Sequence, residues 1–305
     1  MTKAYRFSAI FVLVAICTGA LASESPSCKH VRIGVANWTD VMATSAVAKV
    51  LLDELGYQTD QTFASEQIVL TGIKDKKLDI FLGYWNPLMT ASVVPMEKAQ
   101  QLSVSRTPNL TNANATLAVP HYLFEQGLKT FNDIARFKDA LRGKIHGIEP
   151  GSATNQQIQA MIDKNQFGLG GFKLVESSEA GMLAEVRRAA SRNEAILFFG
   201  WTPHPMNVTL QMNYLTGSQD ALGPNEGAAT VWTVTQTDYA QRCPNVQRLL
   251  DQLIFTTAIE SEMMKSILAG QKPETVARQW LTKHPEDRER WTEGVERSNN
   301  SVAQQ

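Results

Sequence analysis

The sequence predicts an α/β fold of two lobes with a ligand cleft between them, and three observations carry that prediction. Short apolar runs alternate with amphipathic stretches at helical spacing, as expected for a largely parallel sheet covered by helices. The alternation runs twice along the chain, once from about Val31 and again from about Leu117. The 305-residue chain, even after loss of a leader, exceeds the common domain size of roughly 100–150 residues.

In the first series, residues 31–36 read as a buried strand and 41–55 as a helix closed by Gly56. A strand at 78–82 and a helical segment at 91–101 follow. The second series has strands at 116–119, 144–148, 172–175 and 195–199, separated by helices at 131–141, 155–164 and 180–192. After a Gly- and Asn-rich stretch, 214–227, comes a strand at 229–234 and then only helices, at 244–256, 260–269 and 273–283. A chain that ends in helices after a lone strand reads as returning to complete its first lobe. The expected organisation is a discontinuous first lobe, residues 23–115 and 220–305, interrupted by a second lobe at 116–219. The polar tail beyond Arg297 is expected to fray.

The N-terminus carries Lys3 and Arg6, then an apolar run at 9–16, then Ala20-Leu21-Ala22. That order is a secretory signal peptide, residues 1–22, cut after about Ala22. The run is shorter than the ~20 apolar residues that a bilayer span needs. Cys17 follows the bulky Ile16, where lipid attachment wants a small residue, which argues against a lipoprotein. Of three cysteines, Cys28 and Cys243 then remain. An even pair in an exported chain is most simply a disulfide, two unconnected buried thiols being the alternative. A bond between them would put both ends of the chain in one lobe.

Removing Lys3 and Arg6 from 29 basic side chains leaves 27 against 30 acidic ones. Such a surface gives no support to nucleic-acid binding, which needs a basic patch or stripe. Histidines at 30, 121, 146, 204 and 284 show no H-x-x-x-H spacing, so no metal site is expected. No nucleophile elbow, Walker loop or Rossmann glycine pattern is present, and neither a cofactor nor an enzymatic activity is expected.

Three of the six tryptophans, Trp38, Trp85 and Trp201, stand just after predicted strands. In open α/β sheets the carboxyl ends of strands line the ligand crevice. Phe81-Leu82-Gly83-Tyr84-Trp85-Asn86-Pro87 and Phe198-Phe199-Gly200-Trp201-Thr202-Pro203 repeat one pattern, apolar strand, Gly, aromatic and Pro, once per lobe. Indole faces attract a cation whose charge is spread over methyl groups, by about 0.5–2 kcal/mol per face. A trimethylammonium group donates no N–H bond, so aromatic faces suit it better than polar ones. Asp40 can supply the counter-charge. Trp232, Trp280 and Trp291 read as packing residues. Glu149-Pro150-Gly151-Ser152 can present backbone amides at a helix start, where a hydroxyl or carboxylate is received.

On these residues the chain resembles the choline-binding proteins of ABC transporters, in the wider group for glycine betaine, choline and carnitine. The likeness covers nearly the whole mature chain: Ser27-Cys28, Trp38-Thr39-Asp40, Leu82-Gly83 before Trp85, Thr116-Leu117-Ala118-Val119-Pro120, Gly147-Ile148-Glu149-Pro150-Gly151 and Gly200-Trp201. It implies the two-lobed type II periplasmic-binding fold, a periplasmic location and an ABC permease in the inner membrane as partner. It also implies an aromatic box with Trp38, Trp85 and Trp201 as walls and Asp40 beside the cation. Two positions depart from the choline-specific pattern, Ala115 where a tyrosine wall is expected and Ser152 where an asparagine is expected. The opening at Ala115 favours carnitine or a bulkier choline analogue over strict choline, unless Tyr84 or Tyr122 fills it. A carnitine carboxylate would go to the amides at 151–154. Two rival readings carry less. An amino-acid binder usually offers an arginine to the ligand carboxylate, and none stands beside the strand-end motifs. A lyase acting on a methylated amine would have only Asp40 or Glu149 as a base.

Overall fold

The computed structural model describes residues 24–298. The predicted leader and its cleavage site lie outside these residues. A 3-10 turn, Pro26–Lys29, leads into β1 (His30–Val35), α1 (Thr39–Glu54), β2 (Gln58–Phe63), α2 (Glu66–Lys74), β3 (Ile80–Asn86) and α3 (Thr90–Lys98). The short β4 (Ser103–Val104) and the long β5 (Leu110–Pro120) follow, then α4 (His121–Glu125), β6 (Lys144–His146), α5 (Ala153–Asp163), β7 (Lys173–Val175), α6 (Glu179–Ser191) and β8 (Phe198–Thr202). After α7 (Met206–Thr209), β9 (Met212–Tyr214) and α8 (Pro224–Gly227), the chain returns through β10 (Ala228–Thr235). It finishes in helices α9 (Tyr239–Arg242), α10 (Pro244–Gln252), α11 (Thr257–Leu268), α12 (Pro273–Lys283) and α13 (Pro285–Thr292).

All the strands join one sheet whose main path is β2-β1-β3-β10-β5-β8-β6-β7. The two ends of that path are parallel: β1 with β2 and β3, and β6 with β7 and β8. The middle is antiparallel, because β10 opposes both β3 and β5, and β5 opposes β8. The sheet is therefore mixed where the sequence pattern suggested a largely parallel one. An apolar run carries no signal of its direction, and β5 and β10 run between the two ends.

The first parallel end is finished by the last quarter of the chain. Helix α1 is buried over most of its length, from Thr39 to Leu52 with few gaps, since strands cover one side and α11 and α12 pack on another. A helix covered on several sides is apolar on several sides, and Ala43, Ala46, Val47, Val50 and Leu51 are each 1% exposed or less. Cys28 and Cys243 form a disulfide with Cα atoms 5.5 Å apart, fastening the start of β1 to the segment before α10.

Elsewhere the pattern missed what it had no means to see. Strand β2 is polar and mostly exposed, so no apolar alternation marks it. Strand β5 begins at Leu110 rather than 116, because its first half, Thr-Asn-Ala-Asn, lacks an apolar run. The helix expected at 131–141 is a 3-10 segment, Phe131–Phe137, started by a Thr130/Asp133 capping box. Helix α13 lies in a charged stretch and buries only Asp287 and Trp291.

Candidate functional site

Strands β3 and β8 run through Trp85 and Trp201, so these residues lie inside the strand ends rather than after them. Trp38 is the extended residue that caps α1, with φ −107° and ψ 137°. Side chains alternate along a strand, so Trp85 shares a face with Gly83, while Tyr84 points to the opposite face. The Tyr84 hydroxyl accordingly meets Thr90 Oγ1 at 3.5 Å. Tyr122, on α4, donates its hydroxyl to the Glu194 carbonyl. Neither tyrosine lines the cavity beside Ala115.

Alternation also puts Phe199 on the face of Trp201, and their rings stack with centroids 5.6 Å apart and planes at 26°. Opposite them on β5, Ala115 is paired with Trp201 and Leu117 with Phe199. Trp38, Trp85, Trp201 and Phe199 together wall a cavity, with Ala115 between the strands. Leu88, Met89 and Ile148 complete the apolar lining, and Asp40, Glu66 and Thr154 are its polar members. Among the described residues, no lysine or arginine lines it. Phe199 was legible in principle from the two-residue period.

Asp40 is 3% exposed, in the first turn of α1. Its Oδ2 accepts the Trp85 indole N–H at 2.9 Å, and its Oδ1 has no hydrogen-bond partner. Burial, reinforced by nearby Glu179 and opposed by the Trp85 bond, pushes its pKa up to about 7. Glu66, the first residue of α2, is pushed up to about 7 by burial and by Glu149, against the pull of the Ala153 N–H bond. Burial also raises Glu149, which accepts the Trp38 indole N–H at 2.7 Å. Behind the cavity, Glu260 on α11 is held well above the usual carboxylate range by burial and by Asp40. Several carboxyl groups thus converge on one low-dielectric place, where burial favours their neutral forms.

Hydrogen bonds tie the two parallel ends of the sheet together around this cavity. Glu179, at the start of α6, accepts both the Thr39 amide at 2.9 Å and the Thr39 hydroxyl at 2.6 Å. It also receives His204 Nε2 at 3.0 Å, and His204 Nδ1 accepts the Met206 amide, which assigns the hydrogen to Nε2. His204 in turn stands edge-on to Trp201 with centroids 4.8 Å apart. The Ala153 amide donates to Glu66 at 2.8 Å, and Gln157 donates to the Leu88 carbonyl at 2.7 Å.

Ser152 lies one step from the cavity. Helix α5 begins at Ala153, two residues earlier than its pattern suggests, so Ser152 is its cap and its Oγ accepts the Asn155 amide at 3.3 Å. Thr154 is the residue of that turn that lines the cavity. The turn is fixed by Asn155, which bonds both the amide and the carbonyl of Ile148, so closely that a Cβ at Gly147 would collide with its Oδ1.

Comparisons with known proteins give the family and the fold. Residues 29–283 match the family described as the substrate-binding domain of ABC-type glycine betaine transport systems. A solved ABC-transporter choline-binding protein in complex with choline is 44% identical, with a TM-score of 0.87 over 90% of this chain and 95% of that one. An ABC-transporter choline-binding protein in an unliganded semi-closed conformation, at the same identity and coverage, gives 0.81. The uncharacterized protein ORF1 of Chromohalobacter salexigens is 36% identical over 151 residues, 50% of this chain and 95% of that protein.

Proposed function

We propose, from the premise that this chain belongs to the family of substrate-binding domains of ABC-type glycine betaine transport systems, that its cavity is an aromatic box for a quaternary-ammonium head. Family membership makes the chain a two-lobed substrate-binding protein that works with an ABC permease, and not an enzyme. The observation that carries the proposal is Asp40, a buried carboxylate lining a cavity of indoles with one oxygen held by Trp85 and the other unpartnered.

A carboxylate buried without a cation is expensive, and among the described residues no basic side chain lines the cavity to relieve it. A metal ion needs lone pairs around it and a primary ammonium needs acceptors for its N–H groups, and indole faces offer neither in the ordinary sense. A trimethylammonium head asks for apolar contact on all sides and a diffuse negative field, and the walls and Asp40 supply both.

The lobes are assigned as 23–115 with 220–305, and 116–219, the chain passing from the first to the second along β5 and returning just before β10. The packing of α11 and α12 on α1 and the Cys28–Cys243 bridge support that assignment. Trp38, Asp40 and Trp85 then come from the first lobe, as does Ala115 at its edge, and Phe199 and Trp201 from the second, so closure assembles the box. Export to the periplasm, with cleavage after about Ala22, completes the reading.

The small side chain at Ala115 leaves room beside Trp201 for a tail longer than that of choline. Size alone admits carnitine and bulkier choline analogues alike; charge separates the two. Titration of the mature protein with choline, glycine betaine and carnitine, followed by tryptophan fluorescence and calorimetry, is expected to give saturable binding of at least one. No heat and no fluorescence change with any of the three would end the proposal.

A further inference from the structure

We infer that Glu66 is a specificity-determining residue that makes the cage accept quaternary ammonium ligands of net positive charge and refuse those ending in a carboxylate. The inference rests on the quaternary-ammonium reading of the cavity. Glu66 is 1% exposed, lines the cavity from α2, and reaches across to accept the Ala153 amide at 2.8 Å. Ala153 opens the eleven-residue helix α5. The neighbouring amide of Asn155 is taken by Ser152 Oγ at 3.3 Å. Gln67, next to Glu66, donates to the Gly151 carbonyl and fastens the same turn.

The amides at the start of α5 are where a ligand carboxylate could best be received. Here the protein's own carboxylate already occupies that place. A zwitterion whose ammonium lies among Trp38, Trp85 and Trp201 must put its carboxylate a few bonds away, in a cavity that already contains Asp40 and Glu66 and has Glu149 beside it. Among the described residues, no lysine or arginine of the lining can receive it. Like charges in a desolvated cavity repel far more than in water, so this is discrimination by an unfavourable contact rather than by a favourable one. A choline-type ligand meets the same carboxylate with a hydroxyl, which is a hydrogen-bond donor, or with an uncharged tail. Together with the small side chain at Ala115, these carboxylates favour a choline analogue with a larger neutral tail over carnitine.

The test is calorimetry of the mature protein and its Glu66→Gln variant with choline, a neutral choline ester, glycine betaine and carnitine. Gln keeps a carbonyl for the Ala153 amide and removes only the charge. The wild-type protein should bind choline or its ester at least tenfold more tightly than either zwitterion. In Glu66→Gln that ratio should fall at least tenfold, chiefly because the zwitterions gain. A second measurement follows the pH. Asp40 and Glu66 both titrate at about 7, with Glu149 and the α5 amides facing Glu66, so the ratio of choline to carnitine affinity should fall between pH 8 and pH 6 in the wild type and fall less in Glu66→Gln, which keeps only the Asp40 part. An unchanged ratio in Glu66→Gln, or a wild-type protein that prefers carnitine, overturns the inference while leaving the aromatic box standing. Absence of binding by every quaternary amine overturns the box itself.

Discussion

Strands β3 and β8 close on nearly the same words, a glycine, an aromatic and a cis X-Pro bond, yet the two indoles they present are held by opposite means. Trp85 gives its N–H to a buried carboxylate. Trp201 leans on rings, Phe199 on one side and His204 on the other. The cause is a slip of one residue. In β3 a tyrosine separates Gly83 from Trp85, so glycine and indole share a face, and the bare glycine lets Val41 of α1 come close enough to bring Asp40 to the indole. In β8 the indole follows Gly200 directly, so the glycine opens the opposite face to Tyr214 and Ala118, and Phe199 becomes the indole's neighbour. Because side chains alternate, a one-residue offset moves a whole motif to different company. The first wall is thereby tied to charge and the second to packing.

That contrast can be broken or sharpened by measurement. Asp40→Asn should have the largest effect, since removing one partner of a buried ion pair costs about 2–5 kcal/mol of affinity. Calorimetry should show that loss while the ligand-free melting temperature holds or rises, because a costly buried charge has gone. Trp85→Phe keeps an aromatic face but loses the bond to Asp40, and a hydrogen bond to a charged group is worth about 1.5–3 kcal/mol. A loss of affinity in that range is expected.

The pH dependence comes next. The folded pKa of Asp40, about 7, lies above the ordinary carboxylate range, so between that range and pH 7 the folded protein holds a proton that the unfolded chain releases. The stability of the ligand-free protein should therefore fall as pH rises through that window. The quaternary cation does not titrate and needs Asp40 ionised, so its affinity should climb about tenfold from pH 6 to pH 8. Asp40→Asn should flatten that climb. The smallest effect belongs to Trp201→Phe, which preserves ring-on-ring packing and should cost less than about 1 kcal/mol. Equal losses for Trp85→Phe and Trp201→Phe would show that the two walls are equivalent and the contrast empty.

The walls were legible in the sequence because indoles are rare and strand ends are marked by Gly and Pro. Asp40 was legible because it follows Trp38 by two residues. Glu66 was not: an acid after Ser65 at a helix start reads as ordinary favourable placement, and its partner, Ala153, is far away in the chain. Ser152 and Thr154 changed places for a local reason, as α5 starts earlier than its apolar period suggests. The tyrosines offered as substitutes for a wall at Ala115 were decided by alternation for Tyr84 and by a carbonyl partner for Tyr122. Long-range carboxylate partners leave no periodic trace, and they are what makes this cavity acidic.

The acids that reach across the cleft also set its clock. Glu66 grips Ala153, Glu149 grips Trp38 and Glu179 grips Thr39, each from one side to the other. For a ligand held as proposed, departure follows the opening of these bonds, so substitutions of Glu66, Glu149 or Glu179 are expected to act on the dissociation rate, and substitutions of the indoles on how well the ligand is held.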